Sequence, residues 1–335
     1  MKIGIAIEET WDFLHDIYSD LCQHHQVSVY SPRTTRWPIF RERRNRSLFQ
    51  QNLRQFMGNN EVVFFEWASE LLVAATKLPK TCGIVTRLHR YEMYKWVAQV
   101  DWDKVDKIIL VTRSKQEEFI KRFPDQAHKT IVIYEAVSLH KFSFHPKQYN
   151  GDIGILCHLT PRKRVYELIL DFYTLTKKKS NFHLHIGGDP QESYLDYFEA
   201  MCQIVRTLGL ESRVTFYGPI QNTAEWYRKI DLFISNSFSE GLQVALLEAM
   251  ATGCYCLSHY WPGVDELLPR QYLYFTGNEL QEYILDFSTK SEEEKLLHRT
   301  LMRNIVTKQC NSIKINQQIR NEIEETGRQY SSHNK

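Results

Sequence analysis

No stretch of this 335-residue chain offers the roughly 18 consecutive apolar residues that suggest a membrane-spanning helix. The opening Met1-Lys2-Ile3-Gly4-Ile5-Ala6-Ile7 is too short for the apolar part of a signal peptide, runs directly into Glu8 and Glu9, and reads as a first strand. Neither sign of charge is in excess: 42 Lys and Arg against 40 Asp and Glu give a formal net charge of +2. A chain so balanced has no global electrostatic signature, so any basic partner site has to be local. Cysteine is scattered. The seven residues (Cys22, Cys82, Cys157, Cys202, Cys254, Cys256 and Cys310) are odd in number and form no CxxC pair. They read as reduced, mostly buried thiols of a cytoplasmic protein. Cys254 and Cys256 can share one face of a strand, but two thiols alone are not a zinc site. There is no internal repeat and no low-complexity segment.

What is present fits a soluble chain of about two domains, with 43% hydrophobic and 24% charged residues. Strand-like runs at 2–7, 26–31, 61–67, 83–89, 107–112 and 130–135 alternate with helical segments. Six more follow at 152–158, 182–188, 213–218, 232–237, 255–260 and 273–276. This alternation predicts parallel sheets with helical crossovers. The hydrophilic stretch 143–151, with Pro146 and Gly151, is the best linker candidate. The expected fold class is therefore α/β, with two Rossmann-like doubly wound domains over 1–148 and 149–335.

The most informative block is Ser239-Glu240-Gly241-Leu242-Gln243-Val244-Ala245-Leu246-Leu247-Glu248-Ala249-Met250-Ala251-Thr252-Gly253. It follows the alternating run Asp231-Leu232-Phe233-Ile234-Ser235-Asn236-Ser237. Gly253 is a good helix stop, and Cys254-Tyr255-Cys256-Leu257-Ser258 reads as the next strand. The unit is strand, loop, short helix, strand. Ligands of open parallel sheets bind at the carboxyl ends of the strands, where Glu240 falls. The first N–H groups of the helix, near Gly241 to Val244, lack intrahelical partners and suit an anion such as a diphosphate.

This block resembles the retaining glycosyltransferases with two facing Rossmann-like domains (the GT-B fold), specifically glycosyltransferase family 4. It keeps both glutamates, the first Gly and Glu248-Ala249-Met250-Ala251-Thr252-Gly253, and has Leu242-Gln243 where the family has Phe-Gly. By resemblance, Glu240 approaches the donor sugar, the amides after it meet the diphosphate or sugar, and Glu248 binds the nucleotide ribose. Four further regions are similar to the family. In His158-Leu159-Thr160-Pro161-Arg162-Lys163-Arg164, Lys163 falls on the family Lys, His158 stands for its Arg and Arg164 for its Gly. A departing diphosphate needs fixed positive charge, which Lys163 with Arg162 or Arg164 can supply. In Val85-Thr86-Arg87-Leu88-His89-Arg90, His89 matches a His near the reaction centre. Val132-Ile133-Tyr134-Glu135-Ala136-Val137 resembles the family's connection out of the first domain, with Glu135-Ala136 for Asn-Gly. The segment 214–219, with Trp226, Tyr227 and Asp231, lies beside the base in the family, and backbone near Gly218 and Pro219 suits reading its edge. Ile186-Gly187-Gly188-Asp189 resembles the family's Gly-x-Gly, though two glycines suffice for a turn. The Gly-rich loop often found after the first strand is absent, since Ile7 leads into Glu8-Glu9-Thr10-Trp11.

The implied catalytic residues are His89, Glu240 and Lys163. The implied donor-binding residues are Arg162, Lys163, Gly218, Glu240, Gly241, Leu242, Gln243, Val244 and Glu248. No DxD motif stands at a strand end, and the resemblance implies neither metal nor cofactor, the nucleoside diphosphate-sugar being a substrate. The implied activity is transfer of a sugar to a hydroxyl acceptor with retention. The donor would lie in the second domain and the acceptor in the first, with the charged helical tail from about residue 291 able to return to the first. An epimerase, a phosphorylase and a catalytically silent sugar-nucleotide or glycan-binding protein stay open as alternatives.

One local basic segment stands apart. Arg33, Arg36, Arg41, Arg43, Arg44, Arg46 and Arg54 face one acid, Glu42, with Trp37, Ile39, Phe40, Leu48, Phe49 and Phe56 interleaved. It suits an anionic membrane surface or an anionic, lipid-linked acceptor, and equally a solvated helix with its apolar face on the first sheet. No nucleic-acid fold signature accompanies it. The expectation is a cytoplasmic protein that this segment can hold peripherally on the inner face of the membrane.

Overall fold

The structure is a computed structural model. It describes residues 1–32, 41–179 and 181–333, the side chains of 41–46 and 333 excepted. It divides into two compact units, one formed by Met1–Glu135 with Ser312–Lys335, the other by Ala136–Asn311.

The first unit runs β1 (Lys2–Ala6), α1 (His15–His24), β2 (Gln26–Val29), α2 (Arg41–Gly58), β3 (Val62–Phe65), α3 (Glu70–Thr76), β4 (Gly83–Leu88), α4 (Arg90–Lys95), β5 (Lys107–Leu110), α5 (Arg113–Arg122) and β6 (Thr130–Val132). The second runs β7 (Asp152–Leu156), α6 (Val165–Lys178), β8 (His183–Gly187), α7 (Leu195–Thr207), β9 (Val214–Gly218), α8 (Thr223–Lys229), β10 (Leu232–Ser235), α9 (Val244–Thr252), β11 (Tyr255–His259), β12 (Leu273–Tyr274), α10 (Gly277–Thr289) and α11 (Glu292–Gln309). Then α12 (Ser312–His333) belongs to the first unit again.

Both sheets are six-stranded and parallel, in the orders β2-β1-β3-β4-β5-β6 and β12-β11-β10-β7-β8-β9. Each of the twelve strand readings coincides with a strand, trimmed by up to three residues at an end. Central strands of such sheets are buried on both faces and therefore apolar throughout, as Val62, Val63, Phe64 and Phe65 are at 0% exposure. Helix α9 is apolar nearly all round for the same reason, burying Leu246, Leu247, Ala249, Met250 and Ala251. It stops at Gly253, whose φ of +88° is the left-handed cap expected there, and an added Cβ would lie 2.4 Å from the Phe144 ring.

The unit boundary lies at Glu135/Ala136, earlier than the 148/149 division read from composition. Composition marks a hydrophilic stretch, whereas contacts decide membership. The Val137 N–H donates to the Cys310 carbonyl at 2.8 Å. Arg303 donates to the carbonyls of Leu139, Phe142 and Ala251. Buried Asp231 accepts from the N–H groups of Asn150, Gly151 and Asp152 at 2.8, 2.9 and 3.1 Å, while its other oxygen pairs with Arg299. Asp231, grouped by sequence with the base-adjacent segment, is thus an anchor for the connecting strap.

In the first unit α12 packs on β3, β4 and α1 and is tied by Lys107–Glu322 at 3.0 Å and Arg320–Asp20 at 2.7 Å. Helix α2 sets Leu53 and Met57 into the core, with Phe49 and Phe56 packed against it. Of the basic segment, residues 33–40 lie outside the described residues, as do the side chains of Arg41, Arg43, Arg44 and Arg46; Arg54 is exposed. No helix among the described residues is long and apolar enough to cross a membrane.

Candidate active site

The strand orders locate the crevices. In the second sheet β7 pairs with both β8 and β10, so the chain leaves the carboxyl ends of β7 and β10 toward opposite sides, which is where open α/β sheets bind ligands. The loop after β7 carries Arg162 and Lys163, and the loop after β10 carries Glu240. The structure brings all three together. Lys163 Nζ lies 2.5 Å from Glu240 Oε1, and an Arg162 guanidinium nitrogen 2.7 Å from Glu240 Oε2. The loops are stitched further by Arg162 donating to the Ser239 carbonyl and by the Phe238 N–H donating to the Arg162 carbonyl.

Glu240 is 8% exposed. Burial pushes its pKa up, but Lys163 and Arg162 together outweigh burial and hold the carboxyl below its ordinary range, so it is ionised at neutral pH. Two cations share one carboxylate and leave one net positive charge. The Arg164 guanidinium makes no hydrogen bond or ion pair among the described residues, and its charge acts on the Asp171 carboxyl. The Arg164 backbone is left-handed, φ +52°, a conformation that costs a non-glycine residue on the order of 1–3 kcal/mol and that explains why a Gly is usual there. The loop is fixed by Asn236 Nδ2 donating to the Arg164 carbonyl at 2.7 Å, Asn236 being held in turn by the Tyr274 hydroxyl. His158, at the position of the family's arginine, is exposed.

Gly241, Leu242 and Gln243 are buried, and α9 begins at Val244 with Gln243 as its N-cap. Gln243 does not cap with its side chain, which accepts from the Ser235 hydroxyl instead. The first N–H groups of α9 therefore stay oriented out of the helix beside Glu240. One turn on, Glu248 Oε2 accepts from the Tyr227 hydroxyl at 2.9 Å, and Oε1 has no hydrogen-bond partner among the described residues. Burial pushes the Glu248 pKa up to about 7 against the opposing pull of Tyr227 and Lys141. Gly218 ends β9 with φ +65° and open space around it. Gly188 serves packing: its φ is +120°, and a Cβ would fall 1.8 Å from the Cys157 carbonyl oxygen.

The first unit holds a second, sealed charge cluster. Arg87, fully buried in β4, reaches Glu66 Oε1 through Nε at 2.9 Å and a terminal nitrogen at 2.6 Å, Glu135 Oε2 at 3.2 Å and the Phe13 carbonyl at 2.9 Å. His89, 7% exposed, places Nε2 3.1 Å from Glu66 Oε1 and Nδ1 2.8 Å from Glu135 Oε1. Burial alone would lower its pKa, but Glu135 and Glu66, with Glu92, push it up to about 10. The ring expected at a reaction centre therefore has both nitrogens engaged by carboxylates. Sequence reading missed Glu66, Arg87 and the pairing role of Glu135. The one local signal is an arginine inside the otherwise apolar strand Gly83–Leu88, which demands buried partners.

Residues 150–284 match the family model described as glycosyl transferases group 1. The chain is 31% identical over 106 residues to N-acetyl-alpha-D-glucosaminyl L-malate synthase of Bacillus anthracis, covering 32% of this chain and 26% of that protein. It is 34% identical over 135 residues to lipopolysaccharide 1,6-galactosyltransferase of Salmonella typhimurium, covering 38% and 35%. It thus spans about a quarter to a third of these relatives' length. Among solved structures, the Anabaena protein HepE in complex with UDP and glucose superposes with a TM-score of 0.78 at 19% identity, covering 97% of this chain and 99% of that one. Sucrose-phosphate synthase from Thermosynechococcus elongatus gives 0.76 at 15%, covering 97% and 98%. The chain accordingly has the GT-B fold of these neighbours, and its second unit carries a segment similar to the group 1 glycosyl transferases.

Proposed function

We propose that the protein is a group 1 glycosyltransferase that moves a sugar from a nucleoside diphosphate donor, a UDP-sugar first among candidates, to a hydroxyl acceptor with retention of configuration. The observation that carries this reading is the pair of cations on Glu240 at the start of α9. It supplies net positive charge and free backbone N–H groups at a switch point of the sheet, and it lies inside the matched segment. UDP and UDP-glucose in the fold neighbours support the choice of donor.

On this reading the α9 N–H groups and the excess charge of Arg162, Lys163 and Arg164 hold the diphosphate. Glu240 accepts from sugar hydroxyls while staying ionised, and Oε1 of Glu248 takes a ribose hydroxyl. Negative charge builds on the diphosphate as the sugar–oxygen bond breaks, and Lys163 stabilises it most at that moment. No carboxylate pair is needed as a base if the leaving phosphate takes the acceptor proton. With fixed cations in place, turnover proceeds without metal.

A panel of UDP-sugars ranked by thermal shift, then screened against hydroxyl acceptors in EDTA, tests this reading. The anomeric proton of the product reports its configuration. Expected are acceptor-dependent UDP release and an α-linked product from an α-linked donor. Isomerised donor without acceptor would mark an epimerase, a phosphate requirement a phosphorylase, and tight UDP binding without release a silent binding protein. Loss of turnover in EDTA, restored by magnesium, would overturn metal independence.

A further inference from the structure

The buried cluster at the carboxyl ends of β3 and β4 sets the protonation state of His89. A neutral imidazole has one N–H donor and one lone-pair acceptor. Here both ring nitrogens face carboxylate oxygens, at 3.1 Å for Glu66 and 2.8 Å for Glu135. A bare ring nitrogen against either oxygen would set lone pair against lone pair. Both nitrogens must therefore carry hydrogen. The Arg87 fork donates to both carboxylates, and against burial it holds the Glu135 carboxyl, with His89, below its ordinary range.

We infer that Glu66 and Glu135 are positioning residues that lock His89 as an imidazolium, so that it acts as a fixed positive charge at the end of β4 and never as a proton carrier. Every neighbour of the ring is consistent with this. From β4, Arg87 balances one carboxylate and leaves the other for His89. From α4, Glu92 turns Oε1 to the N–H groups of Ala68 and His89; burial raises its pKa while the charge on His89 and the backbone donors lower it. Trp67 packs on the ring at a centroid distance of 4.3 Å, with Phe13 beside it at 5.3 Å. Arg87 and His89 thus balance Glu66 and Glu135, and removing the His89 proton would leave an uncompensated buried negative charge. The cluster stands without any assumption about activity. Only its consequence for the rate rests on the transferase reading: the ring contributes no limb to a pH–rate profile.

The test is nitrogen-15 NMR of histidine-labelled protein, with the His89 signals assigned by their loss in His89→Gln. The expected result is two protonated ring nitrogens in the wild type throughout about pH 6 to about pH 9, where an ordinary histidine would have lost its proton. Glu135→Gln keeps an acceptor but removes the charge, and His89 should then titrate within that window. A wild-type His89 that titrates there overturns the inference, and this measurement needs no variant to fold. A Glu135→Gln protein whose His89 still does not titrate removes Glu135 as the lock. In turnover, Glu135→Gln should gain an alkaline fall of about tenfold that the wild type lacks. If no donor supports transfer by either protein, the transferase reading fails while the NMR result stands on its own.

Discussion

Each unit places basic side chains on carboxylates at the carboxyl end of a parallel sheet, and the two clusters differ in their arithmetic. In the first unit Arg87 and His89 meet Glu66 and Glu135, two against two, sealed under Trp67 and Phe13. In the second, Arg162 and Lys163 meet Glu240 alone, two against one. A balanced, dry cluster resists ligands, because any new charge would have to pay for its own burial. An unbalanced one at a switch point invites an anion. Near-identical chemistry thus builds a support in one sheet and an anion-binding candidate in the other.

The sharpest way to break this contrast is to unbalance the first cluster. Arg87→Met leaves two buried carboxylates without their main partner and should cost about 3–5 kcal/mol of stability in urea unfolding. A loss of less than about 1 kcal/mol would mean that the cluster is wet and adjustable. The matching change in the second cluster should act on function instead. Lys163→Met leaves Glu240 paired with Arg162, so stability should move little, while affinity for UDP by calorimetry should fall by about 1.5–3 kcal/mol, the range of a charged hydrogen bond, and the rate by more. Equal stability losses in the two variants would erase the distinction.

Glu248 gives a pH-dependent version of the same test. Ribose hydroxyls donate to an ionised carboxylate, so binding favours the charged form of a group whose pKa burial has pushed up to about 7. UDP affinity should therefore rise as pH increases through about 7 and level off above it, and Glu248→Gln should flatten that rise. Stability moves the opposite way. The unfolded chain releases this proton near 4.5, so the folded state weakens from there up to about 7 and no further. An affinity that ignores pH would take Glu248 out of the ribose site.

The arginine-rich stretch of the first unit gives a test away from both clusters, with an effect that only anionic lipid reveals. At about 1 kcal/mol per basic residue near an anionic surface, changing Arg41, Arg43, Arg44 and Arg46 to Gln should reduce co-sedimentation with anionic vesicles. Binding should also weaken with salt, since screening confines the field to about 8 Å at physiological ionic strength. Equal recovery on neutral and anionic lipid would leave these residues as a solvated helix face.

Local pattern carried most of the architecture. Apolar or alternating runs of four to seven residues marked the twelve strands, most plainly the central ones such as Val62–Phe65, because a parallel strand buried on both faces must be apolar. The Glu240 and Lys163 loops were legible through the family resemblance, which is carried by short segments between a strand and the helix after it. The sealed cluster was not legible, since Glu66, Arg87 and Glu135 lie 21 and 48 residues apart and no period links them. Nor was the unit boundary, because residues 143–151 look like a linker by composition, whereas Asn150 and Gly151 donate to Asp231 and Arg303 holds Leu139 and Phe142 within the second unit.

The placement of α12 has a consequence for how the protein is made. The strands it covers, β3 and β4, leave the ribosome early, whereas α12 follows the whole of Ala136–Asn311. At about 5–20 residues per second the first sheet waits many seconds with one apolar face uncovered, while the second unit can close on residues already at hand. The later half of the chain is thus the first to be finished, and a ribosome that stops short of Ser312 releases a complete second unit joined to an open, adhesive first one.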